Sequence, residues 1–296
     1  MEIVNQLIQL FPYAILGSIL AGMICGFLGT FVVSQRVVFL GATLTQVAVA
    51  GVAFSFLHVV NLEAFVSSLF GIEDGSFFHN FEPIFYSLLF AVIVVLIFSQ
   101  TYRQKVFTQD GILGIIFVVA VALRIMFIQK SPIAEVSEVE SILKGDILFI
   151  GESQFLTLLG IFIFTMGVFV IFQKQLKFVT FDPDSASAHG INSRLWLLIF
   201  YIVVGMGISL TTRFVGDVFT FAYLIIPSSI GILLSRKVWQ VFLIAVFVGA
   251  VIPPVSIFLA FKYDFSSGPA AVVTAFVLFM IIYIVQKLRG LVSTSG

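Results

Sequence analysis

The sequence predicts an all-α polytopic membrane protein, on three observations. It is 60% hydrophobic and 10% charged over 296 residues, whereas soluble domains carry about 25% charged residues. Its apolar residues fall into nine long runs, each near the ~20 residues that a helix needs to cross a bilayer. These runs are too long for tilted barrel strands, and only helices or closed barrels satisfy the backbone in lipid.

In chain order the runs are 11–34, 37–59, 83–99, 111–128, 153–172, 194–212, 216–234, 238–261 and 268–286. The third is the shortest, and without it the count is eight. The N-terminus carries Glu2 and no basic residue before the first run, the wrong flank for a cleaved signal peptide. The first span is therefore expected to stay in the mature protein. If alternate connections are cytoplasmic, they hold Arg36, Arg103, Lys105, Lys174, Lys177, Arg194, Arg236, Lys237, Lys287 and Arg289, ten of fifteen basic residues. The same segments hold only Asp110, Asp182 and Asp184 of the fifteen acids. The positive-inside rule then places the N-terminus outside and the C-terminus in the cytoplasm. The chain reads as one transmembrane domain, 1–296, with no repeat, low-complexity tract or soluble domain.

Two external segments have some character of their own. Residues 60–82 are acidic, and 129–152 space Ile133, Val136, Val139, Ile142 and Leu143 as one helical face, with Ser131-Pro132 as a start signal. A helix lying at the outer surface is expected there. On the cytoplasmic side, residues 181–191 form a polar island. Asp182 is placed as an N-cap, Pro183 as first helical residue, Ala186 and Ala188 follow, and Gly190-Ile191 suits a left-handed C-terminal stop. A sharply bounded helix of about two turns follows from this pattern. Local chemistry alone favours a capped connector over a docking helix for a partner.

Polar residues inside the spans are few. On the second span Thr43, Gln46 and Ala50 share a side, among the small residues Gly41, Ala42, Ala48 and Gly51. Spacing alone favours helix packing over a stripe facing a transport pathway. Arg213 and Asp217 stand four residues apart at the outer end of spans six and seven, where an ion pair is the simpler reading. Pro227-Ser228-Ser229 interrupts the seventh span; proline bends helices, and broken helices can line pathways. Arg124, near the outer end of the fourth span, is expected to snorkel. His58 is read as interfacial, and neither it, His79 nor His189 forms a helical His or carboxylate–His pair. Cys25 is the single cysteine. No catalytic residues, resident cofactor or metal cluster are expected, no phosphate-binding Gly-Lys-Ser/Thr loop is present, and the zero net charge gives no argument for nucleic acid.

Several stretches, taken in order, resemble the membrane subunits of ATP-binding-cassette importers for zinc, manganese and iron. They are Gly22 to Val33, Leu40-Gly41 through Gly51-Val52, Leu143 to Leu148 with Gly145-Asp146, Phe181-Asp182-Pro183 to Gly190-Ile191, Val215-Gly216, Leu224 to Pro227, and Asp264 to Pro269. The resemblance implies a type II importer-like permease in the prokaryotic cell (inner) membrane, working as a homodimer with the pathway at its interface. It implies a cytoplasmic ATPase pair that binds ATP and Mg, and an external solute-binding protein. It also implies that Asp182, Pro183, Ala186, His189 and Gly190 belong to a coupling helix that docks on the ATPase.

The chain departs from the family pattern chiefly at one place. Where relatives carry an Asp and, four residues later, a His for the passing cation, this chain has Ala42 and Gln46, and a later proline is Ala50. Ser266 also replaces a proline that is usual there. The metal-binding pair is therefore not carried over, and the pathway residues to test are Ala42, Thr43, Gln46, Ala50 and Asp217. Gln46 retains one amide oxygen as a weak neutral ligand. The cargo is expected to be a divalent transition metal or its complex. The alternatives are a secondary transporter or channel working without ATP, and a permease-derived scaffold that transports nothing.

Overall fold

Apolar composition and run length dictate helices almost throughout, and the computed structural model is helical without a strand among the described residues, which are 10–57, 75–101, 108–131, 140, 147–181 and 183–293. Nine helices among them are long and apolar enough to cross a membrane. The elements are α1 Pro12–Ser34, α2 Val38–Ser55, α3 Gly75–Thr101, α4 Gln109–Lys130, a 3-10 turn Ile147–Phe149, α5 Glu152–Ile171, α6 Gln173–Phe181, α7 Pro183–Ala188, α8 Ser193–Val215, α9 Asp217–Leu234, α10 Val238–Tyr263 and α11 Ser267–Ser293. The all-α, nine-span expectation holds, and the chain is a multi-pass membrane protein.

Packing divides the helices into an inner set and an outer set. α1 lies against α10 and α9, α2 against α4 and α3, and α8 against α3 and α2. The α1–α10 seam is closed to the backbone. A Cβ on Gly22 would stand 1.9 Å from the Gly249 carbonyl oxygen, and one on Gly249 would stand 2.2 Å from the Gly22 oxygen. Small residues allow this approach where lipid supplies no hydrophobic drive between helices. Beside the seam, Phe31 gathers Phe169, Phe200 and Phe242 at ring separations of 4.6, 5.7 and 4.6 Å, joining α1, α5, α8 and α10. At the outer set, α4 buries only Leu113 and Ala120, so its remaining apolar surface is available to lipid or a second subunit.

Three expectations change, and a fourth falls mostly outside the described residues. The third span is preceded by eight more helical residues, because α3 begins at Gly75 and runs through Pro83. Pro227 does not break its helix: α9 is continuous, and Ser228 Oγ donates to Leu224 O at 3.0 Å while lying 3.3 Å from Gly26 O of α1. The true interruption is Gly216, with φ +89, between α8 and α9. Residues 173–181, read as connection, form α6, which buries Leu176 and Val179 and exposes Lys174 and Lys177. Most of segment 129–152, where a surface helix is expected, lies outside the described residues. Ser131 there ends α4, bonding back to Phe127 O at 2.9 Å, and Ile147 donates its N–H to Ser267 Oγ at 2.9 Å.

Candidate functional site

Three helices bring their polar side chains to one point inside the bundle. Arg124 of α4 donates from Nη1 to Gln46 Oε1 of α2 at 2.6 Å. Gln46 Nε2 donates to Asp217 Oδ2 of α9 at 2.9 Å. Arg124 Nη1 lies 3.9 Å from the same carboxylate oxygen. The other carboxylate oxygen accepts the Val218 N–H at 2.7 Å. The Gly216 bend makes this possible, because it ends α8 and presents Asp217 as the first residue of α9.

The α2–α4 side of the site follows from helical spacing. The two helices meet at Phe39 with Phe117, at Gln46 with Arg124 and at Phe54 with Phe127. The first two pairs are seven residues apart on both helices, so two turns separate matched contacts on helices that run side by side. Val38, Phe39, Gln46 and Phe54 are the α2 residues that are not fully buried.

The burial pattern corrects the reading of individual residues. Arg124 does not snorkel outward; its side chain is 17% exposed and turned to Gln46. Asp217, read as the partner of Arg213, is engaged by Gln46 and Arg124. Its side chain is 7% exposed, and it is the one fully buried carboxylate among the described residues. The Gln46 oxygen, read as a spare ligand, is taken by Arg124. Thr43 is buried and bonded across to Leu113 O of α4 at 3.1 Å, while Ala42 and Ala50 are buried inside the protomer. His58 and the side chain of His79 lie outside the described residues. No group of three His, Cys, Asp or Glu side chains gathers to hold a metal among the described residues.

Electrostatics decide what this arrangement can receive. The cluster holds one positive and one negative group. A bare dication about 4 Å from each would feel an attraction and a repulsion of about 8 kcal/mol each at an effective dielectric of about 20. The two cancel, leaving its lost hydration uncompensated. The guanidinium has five N–H donors, and Arg124 Nε is buried without a hydrogen-bond partner among the described residues.

At the opposite end of the bundle, α7 shows the predicted stop. Gly190 has φ +79, Ile191 N donates to Ala186 O and Gly190 N to Ser187 O, both at 3.1 Å. These are the two bonds of a Schellman motif. Ala186 is buried, while Ser187, His189 and Gly190 are exposed. His189 Nδ1 is 2.8 Å from Ser185 O, and its ring meets Phe178 of α6 edge-on at 5.5 Å. Asp182 lies outside the described residues, so the helix start is seen only at Pro183.

Comparison with known proteins matches this architecture over nearly the whole chain. It is similar to the manganese transport system membrane protein MntC of Halalkalibacterium halodurans, 24% identical over 280 residues covering 95% of this chain and 88% of that one. It is also similar to the manganese import system permease protein ScaB of Streptococcus gordonii, 23% identical over 94% of this chain and 92% of the relative. A probable iron transport system membrane protein of Haemophilus influenzae is 22% identical over 95% and 92%. Among solved structures, PsaBC from Streptococcus pneumoniae in complex with Fab superposes with a TM-score of 0.76 at 19% identity, covering 95% of this chain and 94% of that one. An inward-facing metal-chelate type ABC transporter, described as putative, superposes with a TM-score of 0.63 at 17% identity over 95% and 88%. With the ABC 3 transport family matching residues 8–286, the chain belongs to that family.

Proposed function

We propose that this chain is the translocation subunit of an ATP-driven importer whose cargo is a transition metal, free or as a complex. It pairs with a second copy to form the pathway, receives cargo from an external binding protein and is driven by a separate cytoplasmic ATPase pair that binds ATP and Mg. The family match over residues 8–286 carries this reading, and the relatives named as manganese and iron transport proteins indicate the cargo class.

The ends of the molecule support it. α7 ends in exposed residues, Ser187 to Gly190, with a Gly190 stop, at the end where Lys174, Lys177, Arg194, Arg236 and Lys237 are exposed. A short helix whose last turn is locked by Gly190 transmits a push without unwinding, which is what coupling to ATPase motion requires. Transport driven by protons or sodium instead needs titratable groups within the spans, and Asp217 is the single fully buried carboxylate among the described residues.

The test is uptake by vesicles that contain the permease and its ATPase, with manganese, zinc and iron offered free and complexed. Accumulation is expected only with hydrolysable ATP. Undiminished uptake after the ATPase is inactivated would replace this reading with a secondary transporter or channel.

A further inference from the structure

We infer that Arg124 determines specificity: its guanidinium serves as the fixed cation of the Gln46–Asp217 site, so a bare divalent ion is turned away and accepted cargo presents anionic oxygen to it. The class that fits is a metal held by an oxygen-donor chelator with net negative charge. The inference rests on the importer reading above.

The site has the features of a receptor for an anion beside a counter-ion. Asp217 is already satisfied by the Val218 N–H, by Gln46 Nε2 and by the nearby Arg124. It therefore offers a bare metal no unclaimed charge. Gln46 spends both ends of its amide, the oxygen on Arg124 and the nitrogen on Asp217. It holds the guanidinium in a fixed place without neutralising it. Arg124 is the member with donors to spare. Its one hydrogen bond among the described residues goes to Gln46, and Nε has no partner there. A carboxylate can take two parallel N–H bonds from a guanidinium, which a hydrated dication cannot. The side chain is 17% exposed while Nε is buried, so the cargo is met through the Nη groups.

The roles of the three residues then separate. Asp217 keeps the guanidinium in the apolar bundle, Gln46 orients it, and Arg124 meets the cargo. Replacing arginine by lysine would keep the charge and lose the planar fork, so the two variants distinguish charge from geometry.

The experiment compares manganese alone with manganese as its citrate complex, at equal total metal, in vesicles containing permease and ATPase. The native chain is expected to favour the complex by about tenfold, the ratio that corresponds to 1.4 kcal/mol. Arg124→Gln should bring the ratio close to one, and Arg124→Lys should retain part of it. Gln46→Leu, which frees the guanidinium from its tether, serves where Arg124→Gln does not fold and should also lower the ratio. A native preference for the bare ion, or an unchanged ratio in Arg124→Gln and in Gln46→Leu, would overturn the assignment while leaving the importer intact. If the native chain moves neither form, the importer reading fails. Equilibrium dialysis of manganese with the purified chain still decides the role of Arg124: binding is expected in Arg124→Gln and absent in the native protein, and equal binding in both would refute it.

Discussion

The two sides of α9 are closed in opposite ways. Toward α1 the closure is backbone on backbone: a Cβ on Gly29 would lie 1.9 Å from the Leu224 oxygen, and the neighbouring Gly22–Gly249 contact is equally tight. Toward α2 and α4 the closure is three side chains and two hydrogen bonds. The first cannot open without separating helices. The second is held by side chains alone, Arg124 to Gln46 and Gln46 to Asp217, which can swing without separating backbones. The α1 side is therefore the more rigid seam and the Arg124 side the one held by polar side chains.

The hardest blow to the comparison falls on the fixed side. Gly249→Val would drive its side chain into the Gly22 carbonyl, with no flexible group to yield. The usual 1–3 kcal/mol cost of overpacking is therefore a lower bound, and the variant is expected to lose monodisperse assembly in detergent chromatography. A Gly249→Val chain with native elution and melting temperature would show that the seam gives way.

A double-mutant cycle sharpens the other side. Arg124→Gln and Asp217→Asn each strand the opposite charge, at about 3 kcal/mol, the low end for a broken buried pair because the two groups lie 3.9 Å apart. The combined variant removes both charges and is expected to recover most of that loss, measured by thermal melting of the purified chain. Additive losses would mean that the two charges do not sense each other.

These two sides differed in how far they could be read from the sequence. Span positions follow from composition, because a run of ~20 apolar residues has one stable solution in lipid. The α7 stop follows from residues within one turn of one another, so Gly190-Ile191 was enough. The Arg124 site joins residues 78 and 171 positions apart, and each taken singly has a simpler reading: Arg124 as snorkelling, Asp217 as pairing with Arg213, Gln46 as packing. The matched Phe39–Phe117 and Gln46–Arg124 spacing would have exposed the pairing only once α2 and α4 were known to be neighbours. α6 was missed because its four Gln and Lys residues resemble a loop, although Leu176 and Val179 already stood at helical spacing.

The smallest effect separates α7 from both sides of α9. Gly190 has open space where a Cβ would go, so only its left-handed φ of +79 resists substitution. Gly190→Val should cost about 1–2 kcal/mol, confined to the end of α7, and leave the bundle's melting temperature nearly unchanged. Asparagine tolerates the left-handed conformation, so Gly190→Asn should behave as native. If α7 transmits ATPase motion, the valine chain will show reduced ATPase binding in pull-down and reduced cargo-stimulated hydrolysis, with the asparagine chain restoring both. Equal coupling in valine and asparagine chains would leave α7 a connector, and ATPase motion would have to enter through another element.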